Sequence, residues 1–255
     1  MTLRPEVQVV QIDYGPLELA ASLNRAIARD SPLLKVSLDI HWDEPDPASA
    51  LDRIEMTLAA FSPSFREHQC RGPFAYHVFR KQGPPSHGVA GDDAGAEGSP
   101  AQTAKSRAQP PDARLALAHL IEHAVIDFES TITHARRISG LTGAHRDPPG
   151  RFDLIVECPD PAVGRLCLSL AVRALTGAAD ARPPGRREHH ILATARLAYH
   201  NPGRVWTPPG VARAFDWPGD RAAAALSSLR ELGYLTPLEY SMNFSGLPRY
   251  AVAAS

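Results

Sequence analysis

His119-Leu120-Ile121-Glu122-His123 places two imidazoles four residues apart, with a carboxylate three residues after the first. The apolar run from Leu115 to Phe128 around them predicts a helix. Residues i and i+4 of a helix lie one above the other, so both rings face one way and Glu122 shares that side. Two nitrogen ligands beside a carboxylate are the start of a catalytic zinc site with its general base. A polar helix edge whose histidines meet solvent or backbone has the same spacing, so the pattern alone leaves both readings open.

Zinc catalysis uses three protein ligands and keeps a fourth position for water. Asp127 continues the face, but eight residues past His119 is about 12 Å of rise, too far to share one ion with both histidines. His134 lies further still. The third ligand must arrive from another element, and Glu157 is the candidate. It ends an apolar strand, Arg151 to Glu157, where pleating groups it with Asp153 and Ile155, opposite Phe152, Leu154 and Val156. A solvent-exposed glutamate at a strand end is the competing reading. The expected set is therefore Zn2+ on His119, His123 and Glu157, with Glu122 taking a proton from a metal-bound water that attacks a peptide carbonyl. Asp127 or Glu129 suits a carboxylate accepting a histidine N–H, or is simply a charged helix position. Arg146 and Arg151 suit substrate carboxylates.

The order of the motif, with glutamate just before the second histidine, is that of the inverzincin peptidases. Three blocks together resemble the amino-terminal domain of cyanophycin synthetase. They are Phe65-Arg66-Glu67-His68-Gln69-Cys70-Arg71-Gly72, the H-x-x-E-H helix running on to Glu129, and Gly150-Arg151-Phe152-Asp153-Leu154-Ile155-Val156-Glu157 followed by Val163-Gly164-Arg165 and Ala171-Val172-Arg173. The likeness spans residues 6 to 177, and its second and third blocks are the specific ones. It implies binding of cyanophycin-like chains and, where H-x-x-E-H is kept, metallopeptidase-like hydrolysis. The family's ATP-grasp and Mur-ligase-like domains do not fit in 255 residues, so synthesis of the Asp-Arg polymer is not expected. His68 and Cys70 match the first block but are given no ligand role. A long insert before the motif helix, and a glycine-rich turn reduced to Gly72-Pro73-Phe74, depart from the family pattern.

Length and an apolar fraction of 44% fit one large domain or two smaller ones with an ordinary core. A net charge of −1 gives no overall attraction to nucleic acid or membrane. Arginines outnumber lysines 24 to 3, a skew that matches GC-rich codon usage better than phosphate recognition. Cys70, Cys158 and Cys167 are widely spaced, without a C-x-x-C pair, so neither a disulfide framework nor a cysteine zinc module is indicated. With no signal-like amino terminus and no apolar run near 18 residues, a soluble cytoplasmic protein without membrane contact is the expectation.

Along the chain, Val7 to Ile12 and Leu34 to Ile40 read as strands, Leu17 to Arg29 and residues 47 to 61 as helices. Residues 83 to 112, dominated by Gly, Ala, Pro, Ser and charge, read as a flexible insert. Ala162 to Leu175 reads as an amphipathic helix, and residues 178 to 187 as a linker. The fold class is α+β: a two-layer α/β domain with a mixed or antiparallel sheet, formed by residues 1–82 and 113–177. A small winged-helix domain, residues 188–255, follows it. There, helices over His189 to His200, Pro208 to Phe215 and Gly219 to Leu232 precede two short strands around Asn243 to Leu247.

Winged helices often read DNA, but Pro183 to Ser255 carries 8 Arg against 5 acidic residues, a net of only +3. Arg221 and Arg230 on the third helix suit phosphates or guanine edges, or form a solvated face. Two functions follow. One is a zinc-dependent peptidase or amidohydrolase acting on peptides or a cyanophycin-like polymer. The other is a non-enzymatic peptide- or polymer-sensing regulator whose winged helix binds DNA or a protein partner.

Overall fold

A computed structural model describes residues 5–17, 20–43, 46–61, 112–179, 186–238 and 248–253. The Phe65 to Gly72 block, the insert up to residue 111 and the expected strands around Asn243 to Leu247 lie outside them. The fold is α+β, built on a four-stranded antiparallel sheet. Its strands are β1 (Glu6–Gly15), β2 (Leu33–His41), β3 (Gly140–Ala144) and β4 (Arg151–Glu157), in spatial order β1-β2-β4-β3. Strict alternation gives the sheet two unlike faces. Leu34, Val36, Leu38 and Ile40 of β2 and Phe152, Leu154 and Val156 of β4 point into the main core. On the other face a small cluster joins Leu33 and Ile155 to Ala20 and Ile27.

Helices α2 (Pro47–Phe61), α3 (Ala113–Thr133) and α4 (Pro161–Ala179) pack together over the core face. The motif helix α3 is buried along most of its length, polar residues Glu122, His123, Asp127 and Glu129 included, as befits a central helix. Asp112 caps its start, its side chain accepting from the Arg114 amide at 2.9 Å. His134 closes its end in the left-handed conformation, φ 60°, its N–H reaching the Ser130 carbonyl.

The expected helix from Leu17 to Arg29 is cut to α1 (Ala20–Leu23). Asn24 stops it. Its side-chain oxygen accepts from the Ala26 amide and its side-chain nitrogen donates to the Gly140 carbonyl, which turns the chain. The strand β3 was not expected at all, because two glycines in five residues hide its β character.

From Arg186 onward come α5 (Arg186–Tyr199), α6 (Pro208–Phe215) and α7 (Gly219–Glu231), then β5 (Leu235–Pro237) paired antiparallel with β6 (Tyr250–Val252). Trp206, between α5 and α6, forms a β-bridge with Tyr250. Thr207 caps α6 through its hydroxyl oxygen, with prolines in the first turn. The hydrophobic cluster does not stop at the sheet. It runs unbroken from Leu34 and Leu120 through Leu168 to Ile191, Trp206, Leu226, Leu229 and Tyr234, and α3 packs directly on α5. No described helix is long and apolar enough to cross a membrane.

Candidate functional site

The motif residues stand where α3 crosses β3. His119 and His123 do share one side of the helix, with ring centroids 4.5 Å apart. Glu122 is 4% exposed, and one of its oxygens takes two partners: it accepts the Thr142 hydroxyl and lies 3.2 Å from His119 Nδ1. An ionised carboxylate only accepts, so beside an ionised Glu122 it is His119 Nδ1 that donates. The approach of helix to strand requires glycine at 140. A β-carbon there would stand 2.5 Å from Glu122 Oε1 and 2.9 Å from Ile126 Cδ1. Neither Gly140 nor Thr142 was marked by the sequence reading. The hydroxyl in an unrecognised strand, two residues from a glycine, was the available signal.

Glu157 does not join the histidines. Its strand parity was read correctly, with Asp153 and Ile155, but that parity carries it away from α3. The helix covers the Phe152–Leu154–Val156 face, and Glu157 stands on the other one, beside Leu33. Its two oxygens are taken by backbone amides, from Ala28 at 3.1 Å and Ser139 at 2.9 Å, so it stitches two loops to the strand end. Among the described residues no group of three His, Cys, Asp or Glu side chains is placed to hold a metal ion. Within the described residues the motif thus offers two nitrogens of the three ligands a catalytic zinc takes.

The other candidates separate as well. Arg151 is held by Asp39 through two bonds of 2.8 Å, on the face away from α3. Arg146 is exposed in the turn after β3. Asp127 and Glu129 are 1% and 0% exposed, too deep for surface charges. Burial, above all, pushes the Glu129 carboxyl up to about 8; Asp160 and Glu157 add to the rise, and the neighbouring Cys158 side chain opposes it. The Cys158 thiol donates to the Asp160 carbonyl at 3.1 Å. Burial and nearby Glu129 hold both Cys158 and Cys167 well above the ordinary thiol range, so neither is an activated nucleophile.

What the arrangement offers chemically is an imidazole oriented by a carboxylate, itself fixed by a hydroxyl, with a second imidazole in contact. No family model and no curated protein matches this chain.

Proposed function

We propose that the chain is a two-part regulator, in which the sheet and α2–α4 sense a peptide or cyanophycin-like polymer and the segment from Arg186 reports this to DNA. One observation carries the reading: α3, which holds His119, Glu122 and His123, packs on α5 within a single continuous core. A ligand that shifts α3 has a direct mechanical route to the carboxy-terminal helices. The resemblance to the cyanophycin synthetase amino-terminal domain supplies the ligand class. The order helix, bridging strand, helix, helix, hairpin supports a winged helix, with α7 as the reading helix. Arg230 is exposed and Arg221 half-buried on α7.

Fluorescence anisotropy with duplex DNA at low salt tests the reading. Binding is expected, weakening in R221A/R230A, with the salt slope reduced by about 1 per lost phosphate contact. Absence of binding at low salt removes DNA as the partner.

A second reading, peptide or amide hydrolysis, is favoured by the Thr142–Glu122–His119 chain of contacts. Zinc content of the purified protein, and cleavage of Asp-Arg peptides by wild type against E122Q, test it. Protein without bound metal and with equal, negligible cleavage in both forms discards it.

A further inference from the structure

β1 stands at the end of the strand order, so among the described residues no strand pairs with its outer backbone edge. Exposed apolar side chains gather on it. Of the eight large hydrophobic residues exposed among the described ones, Val9, Val10, Ile12 and Tyr14 are four. Register with β2 sets Val9, Ile12 and Tyr14 opposite Leu38, Val36 and Leu34, on the face that carries the core, yet each is 38% to 41% exposed. The other end of the sheet is different: β3 has five residues, two of them glycine, and no large exposed hydrophobic residue. An open ten-residue edge with apolar side chains is a template for another strand. We infer that the occupant is β1 of a second copy, the two strands pairing antiparallel about a two-fold axis at the Val9–Val10 peptide and joining two four-stranded sheets into one of eight.

The strand's own sequence favours a second copy over an unrelated chain. Glu6-Val7-Gln8-Val9-Val10-Gln11-Ile12-Asp13 has the same chemical order from either end: acid, aliphatic, glutamine, valine, then the reverse. Antiparallel pairing about its centre sets Val9 against Val10, Gln8 against Gln11, Val7 against Ile12 and Glu6 against Asp13. Residues directly opposite each other share a face of the sheet. In a regular strand this pairing fails, because each pair joins an odd with an even position and those alternate between faces. The bulge repairs it. The register slips by one between Val9 and Gln11, so Val7 and Ile12 both stand on the core side, opposite Ile40 and Val36. Gln8 and Gln11 both stand on the other side, opposite Asp39 and Ser37. A two-fold axis normal to the sheet keeps both core faces on one side, so the uncovered apolar residues of the two copies meet as one strip.

One feature of the strand opposes the pairing, and it sets the expected behaviour. Glu6 and Asp13 face each other at both ends, with Lys35 and His41 beside them on β2 as the neighbouring cationic side chains by register. Apolar contact and backbone bonds must then hold the pair, and salt that screens the acidic ends should strengthen it. A basic extended peptide captured on the same edge would weaken with salt instead.

Sedimentation equilibrium of the full-length protein over a concentration series, at low and high salt and pH 8, provides the test. Wild type is compared with E6K and V10K, both exposed positions, with circular dichroism checking that each folds. Wild type should form a dimer that tightens with salt. E6K, which sets a cation against Asp13 twice, should tighten the dimer at low salt by roughly tenfold. V10K, which sets a charge against Val9 at the axis, should weaken it by about tenfold or more. Wild type that stays monomeric overturns the assignment, and salt-weakened binding of an oligoarginine probe would then give the edge to a basic strand. An E6K dimer no tighter than wild type, or a folded V10K dimer no weaker, overturns it as well.

Discussion

Glu122 and Gly140 approach so closely that the glycine's missing side chain is what admits the carboxylate between α3 and β3. Replacing Gly140 by alanine is an overpacking substitution, since both obstructing groups, Glu122 Oε1 and Ile126 Cδ1, belong to the buried helix. We expect a loss of roughly 1–3 kcal/mol. The urea midpoint of G140A measures it, and an unchanged midpoint would mean that helix and strand part without cost.

Thr142 gives Glu122 its hydroxyl donor in a site almost closed to water. Valine has the same shape without the hydroxyl, so T142V should lose about 1–3 kcal/mol through an under-satisfied buried carboxylate. Serine should recover most of it. In an E122Q background the valine substitution should cost clearly less, which a double-mutant cycle reads directly.

Glu129 predicts a pH dependence with a definite sign. Its carboxyl titrates near 8 in the folded chain, against an ordinary value of 4.5. Between those two values the unfolded chain has released this proton and the folded chain still holds it. Stability from this group therefore falls as pH rises through 4.5 to 8, by about 1.4 kcal/mol per unit at the steepest, and levels off above 8. Urea unfolding of wild type and E129Q across pH 5 to 9 isolates the contribution as the difference between the two profiles. Parallel profiles would refute a protonated Glu129.

Glu157 is expected to matter for folding and not for metal. E157A removes the acceptor shared by the exposed Ala28 amide and the half-buried Ser139 amide, a loss of about 0.5–1.5 kcal/mol. Zinc stoichiometry should be the same in E157A and wild type. A zinc equivalent lost in folded E157A would restore this residue to the ligand set.

Much of the element order was legible because local chemistry marks it. Thr207 followed by two prolines announces the start of α6, and the alternation in β2 and β4 announces two half-buried strands. What failed did so for physical reasons that no window of neighbouring residues contains. The apolar period from Leu17 to Arg29 continues past Asn24, but that side chain finds a carbonyl on β3, 116 residues away, and the helix ends there. Two glycines conceal β3 itself, whose close contact with α3 uses one of them. At the site, the i, i+4 geometry of His119 and His123 followed from helix pitch alone. Glu157 stands apart from the histidines because of which face of the sheet the helix covers. The apolar triplet Phe152, Leu154 and Val156 already held that answer, since a helix buried all round must lie on the apolar side.

The unbroken core from Leu34 to Tyr234 also bears on ancestry. A segment joined by a plain tether passes freely between unrelated proteins by gene fusion. One that shares interior side chains with its neighbour has to inherit them together. Sequences descended from this chain should vary α3 and α5 in concert, and a graft of the stretch from Arg186 onward would arrive with a bare flank unless its new host offered a matching helix.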